Sequence, residues 1–349
     1  MTRSLLIGFL SLSTLLNARS QSPQSPTPPK SAIGQSFSGH DSLAPPPDSN
    51  PDATSCLSHL LWAPSDFPVI TESTGNQPGD FLIRFPSPAP SGDAINDRVA
   101  LEWYQARNPD GQPVKAPAVV IVHESGRGMA AARTIARGLR SRNLHSFVIH
   151  LPGYGARTSV SSTDIRRLLP AMQQAVADVR RARDAVATLP QVDASLIGLQ
   201  GTSLGGFITA TVAGLDHAFQ RTFIFLAGGQ IAEVLIHGTR DAAGIRNRLA
   251  AAGIDSPQIR SLSLAVEPMR LAHRINPATT WLFSGKFDEV VPPRCSLAFA
   301  TAASLPPDHH RQLPVGHYSA ALLLPIILQQ IGDLMAPTPP AEKSPAKSP

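Results

Sequence analysis

Residues 199–206 read LQGTSLGG, and this stretch decides the fold because it places Ser203 in the pattern G-x-S-x-G. The apolar run at 196–199 is typical of a strand, and the small-residue pattern at 207–215 is typical of a helix. A sharp turn between the two strains the serine backbone and leaves no room for a Cβ on the flanking glycines. The stretch therefore predicts a strand, a tight turn and a helix, with the Ser203 hydroxyl at the end of a sheet.

Strand-like and helix-like patterns alternate along the chain on both sides of this turn. Further strands are predicted at 81–85, 98–105, 118–122, 146–151, 222–226, 279–283 and 311–313. Helices are predicted around Ile135 and Leu139 and at 168–189, 294–303 and 318–335, with Pro325 as a kink in the last. The first two of these strands are expected to be antiparallel, and the alternation after them implies right-handed crossovers. We therefore expect an α/β fold with a mostly parallel central sheet flanked by helices.

The segment at 229–276 interrupts this alternation, because it is rich in Ala, Arg and Leu and has only helical patterns. We interpret it as a helical cap inserted over the site that the turn at Ser203 forms. The alternative is a set of extra helices that pack on the domain.

Residues 1–20 have the pattern of a secretory signal peptide. Arg3 precedes an apolar stretch at 5–16, and small residues follow that stretch. The apolar stretch is short for a bilayer span. We expect a secreted or periplasmic protein with no stable membrane span, and the alternative is an N-terminal membrane anchor that is not cleaved.

Proline- and serine-rich segments flank the expected domain. Residues 21–55 and 337–349 contain few large apolar residues, so burial cannot offset the entropy cost of ordering them. We expect a disordered linker in the first segment and a disordered tail in the second. The α/β domain is therefore expected at 56–336, a size that suits one domain.

Charge and cysteine content set further limits on partners. The net charge of +5 is small for 349 residues, and no basic patch is interleaved with aromatic residues, so a nucleic-acid partner is not expected. Cys56 and Cys295 could form a disulfide in an exported protein, or stay apart. We interpret one group of arginines, on or next to a predicted helix, as a solvated helix face: Arg166, Arg167, Arg180, Arg181 and Arg183.

A serine hydroxyl is a poor nucleophile at neutral pH, so the turn at Ser203 is expected to be completed by a base and an acid. In α/β hydrolases, whose nucleophile turn this stretch resembles, the order along the chain is serine, then a carboxylate, then histidine. His317 fits the base, because it follows the strand predicted at 311–313 and opens a helix. His309 and His310 precede that strand, so they are expected at the opposite end of the sheet, and no metal site is expected there.

The acid is expected at Asp288, which directly follows the strand predicted at 279–283. Glu289 is its neighbour and is expected to point elsewhere, and Asp216 is expected to cap a helix. Glu233, after the preceding strand, is the alternative acid.

A negative charge that develops on a carbonyl oxygen needs backbone N–H donors. The N–H of Leu204, immediately after the serine, is one candidate. The second is the N–H of Ser125, in the loop at 123–128 that follows the strand predicted at 118–122.

Three motifs resemble those of one family. The run 119–157 contains HESG at 123–126 and LPGYG at 151–155, and the sequence around the expected acid, at 285–292, reads GKFDEVVP. In these features the chain is similar to the α/β-hydrolase superfamily, over nearly the whole expected domain, and within it to the dienelactone-hydrolase-like and serine carboxylesterase branch.

The resemblance implies an α/β-hydrolase fold and roles for several residues. Glu124 would face the nucleophile as an accessory residue, and Ser125 and Leu204 would form the oxyanion hole. Dienelactone hydrolases have cysteine where Ser203 stands, and many relatives have Asp where His150 stands.

Together the motifs predict a secreted serine hydrolase that cleaves a carboxylic ester through an acyl-enzyme. Ser203, Asp288 and His317 would be catalytic, and the chemistry needs no metal or other cofactor. The substrate would be a small-molecule or polymer-borne ester. The alternatives are an amide or peptide hydrolase with the same residues, and a non-catalytic binding protein on a hydrolase scaffold.

Overall fold

A single sheet of ten strands organises residues 33–159 and 164–336, which are the residues that the computed structural model describes. The strands are β1 Ser36–His40, β2 Asp66–Glu72, β3 Phe81–Pro86, β4 Arg98–Tyr104, β5 Ala116–Val122, β6 His145–Ile149, β7 Val192–Thr202, β8 Arg221–Phe225, β9 Thr280–Gly285 and β10 His310–Leu313. They lie side by side in the order β1-β2-β3-β4-β6-β5-β7-β8-β9-β10.

The pairing of neighbouring strands changes once across the sheet, from antiparallel to parallel. The pairs from β1 to β4, and the pair of β4 with β6, are antiparallel. All pairs from β6 through β5 to β10 are parallel. The mostly parallel sheet with antiparallel strands at its start is therefore confirmed.

Helices cover both faces of the sheet. They are α1 Pro51–Leu57, α2 Ala130–Arg140, α3 Leu168–Ala187, α4 Leu204–Asp216, α5 Ile231–His237, α6 Asp241–Ala251, α7 Ser256–Ser263, α8 Pro293–Ala302 and α9 Leu324–Leu334. Alternate residues of β5 point to different cores: Val120 packs in the cluster that contains the buried side chains of α3 and α4, and Ile121 in the cluster that contains those of α2 and α9.

The C-terminal helix differs from the expected one. We expected one helix at 318–335 with Pro325 as a kink, but a 3-10 turn, Ser319–Leu323, comes first and α9 begins at Leu324. Pro325 lies in the first turn of α9, where its missing N–H costs no hydrogen bond.

The expected disordered linker at 21–55 is wrong for its described part, residues 33–55. β1 pairs with β2, and α1 begins after Asn50, whose side chain accepts hydrogen bonds from the N–H of Asp52 and of Ala53. Asp41 is buried and receives a 2.8 Å hydrogen bond from Arg181 Nε. Residues 21–32 of that linker, the signal at 1–20 and the tail at 337–349 lie outside the described residues.

The interpretation of a solvated arginine face is also wrong for two of its members. Arg180 and Arg181 are buried on α3. Arg180 forms ion pairs with Asp216 at 2.7 Å and with Asp184 at 2.9 Å. Helical spacing shows which charged residues share a face. Whether that face is exposed to solvent depends on what packs against it, which the spacing does not show.

The segment at 229–276 folds as α5, α6 and α7 followed by 3-10 turns. Its turns contact α3 and α4, and its Asp241, at the start of α6, borders the cavity beside Ser203. Cys56 and Cys295 are both buried and free, so they do not form a disulfide. Among the described residues, no helix has the length and apolar character to cross a membrane.

Candidate active site

Ser203 lies in a strained turn between β7 and α4. Its φ of 54° and ψ of −116° are values that a residue with a side chain rarely adopts. The turn is held by a 2.9 Å hydrogen bond from Ser203 N–H to the Phe225 carbonyl of the neighbouring strand. The sharp strand–turn–helix expected from G-x-S-x-G is therefore present in the structure.

The glycines of the motif are required because the neighbouring backbone leaves no room for a side chain at these positions. A Cβ on Gly201 would overlap the Gly205 carbonyl oxygen, and a Cβ on Gly205 would lie 2.6 Å from the His123 carbonyl oxygen. α4 can therefore approach the ends of β5 and β7 only because these positions carry no side chain.

The structure brings Ser203, His317 and Asp288 together. His317 Nε2 lies 3.0 Å from Ser203 Oγ, and His317 Nδ1 lies 2.7 Å from Asp288 Oδ2. The other Asp288 oxygen accepts hydrogen bonds from Val290 N–H at 2.9 Å and Val291 N–H at 2.8 Å. Because the carboxylate holds the proton on Nδ1, the free lone pair of Nε2 faces the serine hydroxyl.

The other candidates for acid and base lie elsewhere. Glu233 forms an ion pair with Arg260, and Glu289 lies 3.7 Å from Arg240. His309 Nδ1 lies 2.8 Å from the Pro277 carbonyl oxygen, and His310 Nε2 lies 2.9 Å from Ser284 Oγ. Within the described ranges, no group of three or more His, Cys, Asp or Glu could hold a metal ion.

Glu124 and Ser125 border the cavity beside Ser203. The Glu124 carboxylate caps α2, because its two oxygens accept hydrogen bonds from Ala131 N–H at 3.0 Å and Ala132 N–H at 3.2 Å. Leu204 is the first residue of α4, so its N–H has no acceptor within the helix. These positions leave backbone donors near the serine.

His123 orients the peptide between Glu124 and Ser125, and sequence reasoning missed it. Its Nε2 accepts a 3.2 Å hydrogen bond from Leu151 N–H, so the proton is on Nδ1, which donates to the Glu124 carbonyl at 2.5 Å. Burial lowers the pKa of His123 to about 3, so the ring is neutral. Its position directly after β5, as the first residue of HESG, was the available signal.

Tyr154 contacts the same loop through its ring and its hydroxyl. Its ring lies edge-on to His123 with centroids 4.6 Å apart, and its hydroxyl donates a 3.1 Å hydrogen bond to the Ser125 carbonyl. The LPGYG motif that carried the family resemblance therefore supports the loop at 123–128.

A buried polar network lies behind this loop. His150 Nδ1 accepts a hydrogen bond from Ala156 N–H, and His150 Nε2 donates one to Glu102 at 3.0 Å. Burial alone would raise the pKa of Glu102, but hydrogen bonds from His150 and from Arg133 hold it below its usual value. Where many relatives have Asp, His150 is thus a neutral donor to a carboxylate on β4.

A cavity of about 520 Å³ opens beside Ser203 and His317. Its walls come from α2 on one side and from the Ser319–Leu323 turn and α9 on the other. Most of the lining is apolar, and it includes Ala130, Ala131, Ile135, Phe225, Leu226, Phe283, Leu313, Ala320, Ala321, Leu324 and Ile327.

Comparison with known proteins supports the fold. No family model and no curated protein matches the chain by sequence. Among solved structures, the chain is similar to an acetyl xylan esterase from Paenibacillus sp. R4, at 15% identity over 82% of this chain and 96% of that one, with a TM-score of 0.54.

Two further similarities are of the same kind. One is to the α/β hydrolase GrgF from Penicillium sp. sh18, at 16% identity over 73% of this chain and 96% of that one, with a TM-score of 0.52. The other is to a Mycobacterium tuberculosis puromycin-hydrolyzing peptidase, at 17% identity over 77% of this chain and 46% of that one, with a TM-score of 0.50. At these identities the likeness concerns the fold, and the chain has the α/β-hydrolase fold.

Proposed function

We propose that this protein is a serine hydrolase that cleaves a carboxylic ester through a covalent acyl-enzyme. The observation that carries the proposal is the position of His317, which bridges Ser203 Oγ at 3.0 Å and Asp288 Oδ2 at 2.7 Å. A nucleophile, a base and an orienting acid in this contact form the arrangement that acyl transfer requires.

In the proposed first step, Ser203 Oγ attacks the ester carbonyl while His317 Nε2 takes the hydroxyl proton. The tetrahedral intermediate then collapses, the bond to the alcohol oxygen breaks, and His317 returns the proton to the departing alcohol. Water attacks the acyl-enzyme by the same route in reverse and releases the acid. Asp288 keeps the proton on Nδ1 and stabilises the charged ring.

The N–H groups of Leu204 and Ser125 are the proposed donors to the oxyanion. Support comes from the position of Leu204 at the N-terminus of α4, where the helix dipole also favours negative charge. The Ser125 side chain has no part in this role.

The test is hydrolysis of short p-nitrophenyl esters by purified protein. Ser203→Ala is expected to lower kcat/KM by about a millionfold, and Asp288→Asn by about ten-thousandfold, because acyl transfer loses its nucleophile or its tautomer control. Ser261→Ala, which changes an exposed serine on α7, is the matched control. Equal turnover by wild type and Ser203→Ala would exclude the mechanism.

Two further experiments test the alternatives, amide hydrolysis and a non-catalytic binding protein. One of the similar structures is named as a peptidase, so a peptide library is the second substrate set, and cleavage of peptides but not esters would favour amide hydrolysis. Failure of a fluorophosphonate probe to label Ser203 would favour a non-catalytic binding protein.

We also propose that the protein is exported. The support is the sequence at 1–20, where Arg3 precedes an apolar stretch and small residues follow. Sequencing the N-terminus of protein from the extracellular or periplasmic fraction checks this, and an intact Met1 in a cytosolic fraction would contradict it.

A further inference from the structure

The cavity beside Ser203 is a cleft between two helical walls. The first turns of α2 form one wall with Ala130, Ala131 and Thr134, and the other wall contains Ala320 and Ala321 from the turn before α9. The side chains that border the cleft from the sheet and the core are larger: Ile135, Phe225, Phe283, Leu313 and Ile327. Alanines in both walls leave the cleft open, because longer side chains at these positions would fill it.

Three polar side chains of the cleft already have partners, and two others at its border, Asp241 and Tyr318, are hydrogen-bonded to each other. Thr134 Oγ1 donates a 2.8 Å hydrogen bond to the Ala130 carbonyl, and both Glu124 oxygens accept from the N-terminus of α2. Thr202 Oγ1 accepts a 2.9 Å hydrogen bond from Gln200. A sugar or a charged group in the cleft would lose more hydrogen bonds to water than these few, already engaged side chains could replace, which is unfavourable, whereas an apolar chain gains from burial.

The size of the cleft exceeds what an acetyl group needs. A volume of about 520 Å³ lies within the range of pockets for small molecules. Such a space holds on the order of ten chain atoms, each about the size of a water molecule. Acetyl, with a single methyl group beyond the carbonyl, would leave most of it empty.

We infer that the cleft between α2 and α9 binds an apolar hydrocarbon chain of the ester substrate, several carbons longer than acetyl. The inference rests on the proposed function for its reaction and on the cleft for its specificity. The chain can belong to the acyl group or to the alcohol, since either would present the same chemistry to the walls.

Two ester series distinguish these sources. In p-nitrophenyl esters from acetate to dodecanoate only the acyl chain grows, and in alkyl acetates from ethyl to decyl only the alcohol grows. In the series whose chain enters the cleft, kcat/KM is expected to rise about fourfold per methylene over the first additions and then to level off, since one buried methylene is worth about 0.8 kcal/mol.

Substitutions in the walls test the location. Ala130→Phe and Ala321→Phe fill the cleft from opposite sides, and both positions have solvent contact, so the larger ring does not overpack the core. The loss of kcat/KM is expected to grow with chain length and to reach at least tenfold for the longest ester. Ala250→Phe, at an exposed position of α6, is the control and is expected to keep the wild-type profile.

A binding measurement without turnover separates two kinds of failure. In calorimetry, 1-octanol is expected to bind the wild type and Ala250→Phe and to bind Ala321→Phe at least tenfold more weakly. Octanol binding with no Ser203-dependent ester cleavage would support the cleft and defeat the proposed function. Ser203-dependent cleavage that does not rise with chain length in either series, with no octanol binding, would overturn this inference alone. If neither Ser203-dependent cleavage nor octanol binding is seen, the proposed function and this inference both fail.

Discussion

His123 controls where one backbone N–H points. Its Nδ1 proton holds the Glu124 carbonyl, and because the peptide bond is planar and trans, the N–H of Ser125 must point the opposite way. A carbonyl that accepts a hydrogen bond also makes its own N–H a stronger donor. In the proposed reaction, His123 is thus a positioning residue that never touches the substrate.

Replacing His123 gives a graded prediction. His123→Phe is expected to lower kcat by about tenfold or more, less than the hundredfold or greater cost of losing an oxyanion donor outright, with KM little changed. His123→Asn keeps an N–H near the Nδ1 position and is expected to recover part of kcat. The ester assay measures both, and thermal unfolding shows whether each variant is folded.

A purely structural role for His123 would give another pattern. Both variants would then unfold at lower temperature while the folded fraction kept the wild-type kcat. That result would contradict the positioning role.

At the scale of elements, β1 and α1 show what local composition cannot reveal. The segment that contains them is rich in Pro and Ser, yet three aspartates anchor it to distant arginines: Asp41 to Arg181, Asp48 to Arg274 and Asp52 to Arg270. These partners lie 140 to 226 positions away in the sequence. Hydrophobic content measures only one of the ways in which a segment can be ordered.

The pair of Asp41 with Arg181 makes this anchoring testable. Asp41→Ala leaves a buried guanidinium without its carboxylate, so the free energy of unfolding is expected to fall by about 3–5 kcal/mol. The double variant Asp41→Ala/Arg181→Met removes the unpaired charge and is expected to recover part of the loss. Urea denaturation measures both changes.

Asp66 provides the matched control for this prediction. It lies on β2 and its side chain is 78% exposed, so Asp66→Ala is expected to change stability by less than about 0.5 kcal/mol. A similar cost for Asp41→Ala and Asp66→Ala would show that β1 is not anchored through Arg181.

For the whole molecule, local patterns and chain order predicted the central strands and the three side chains of the candidate site, but not how the strands are arranged. Periodicity identified the central strands and the helices α3 and α8, and the order Ser203, Asp288, His317 selected the three side chains that the structure brings into contact. The position of β6 between β4 and β5 could not be predicted, because hydrophobic runs do not specify which strands pair.

Because several histidines are buried and neutral, we predict that the stability of the whole molecule falls in acid. Burial lowers the pKa of His123, to about 3, and also the pKa values of His145 and His150. Below about pH 6.5 these histidines bind protons in the unfolded chain but stay neutral in the folded protein. The free energy of unfolding therefore falls as the pH falls from there towards 3. For His123 alone the loss at pH 5 is about 2 kcal/mol.

Urea denaturation at pH 7 and pH 5 measures this effect. The His123→Asn variant is expected to lose less stability than the wild type between the two values. Burial raises the pKa of Glu267, which acts in the opposite direction, but its contribution is the same in both proteins and cancels in the comparison. An equal loss in both proteins would contradict the assignment to His123.

The wide separation of Ser203 from His317 has a consequence for synthesis. The ribosome makes the serine 114 residues before the histidine that would activate it. The wall formed by Ala320, Ala321 and α9 also emerges after the serine. During its own production the nascent chain therefore carries Ser203 without His317 and without this wall, and the proposed active site is complete only once the polypeptide has been made through α9.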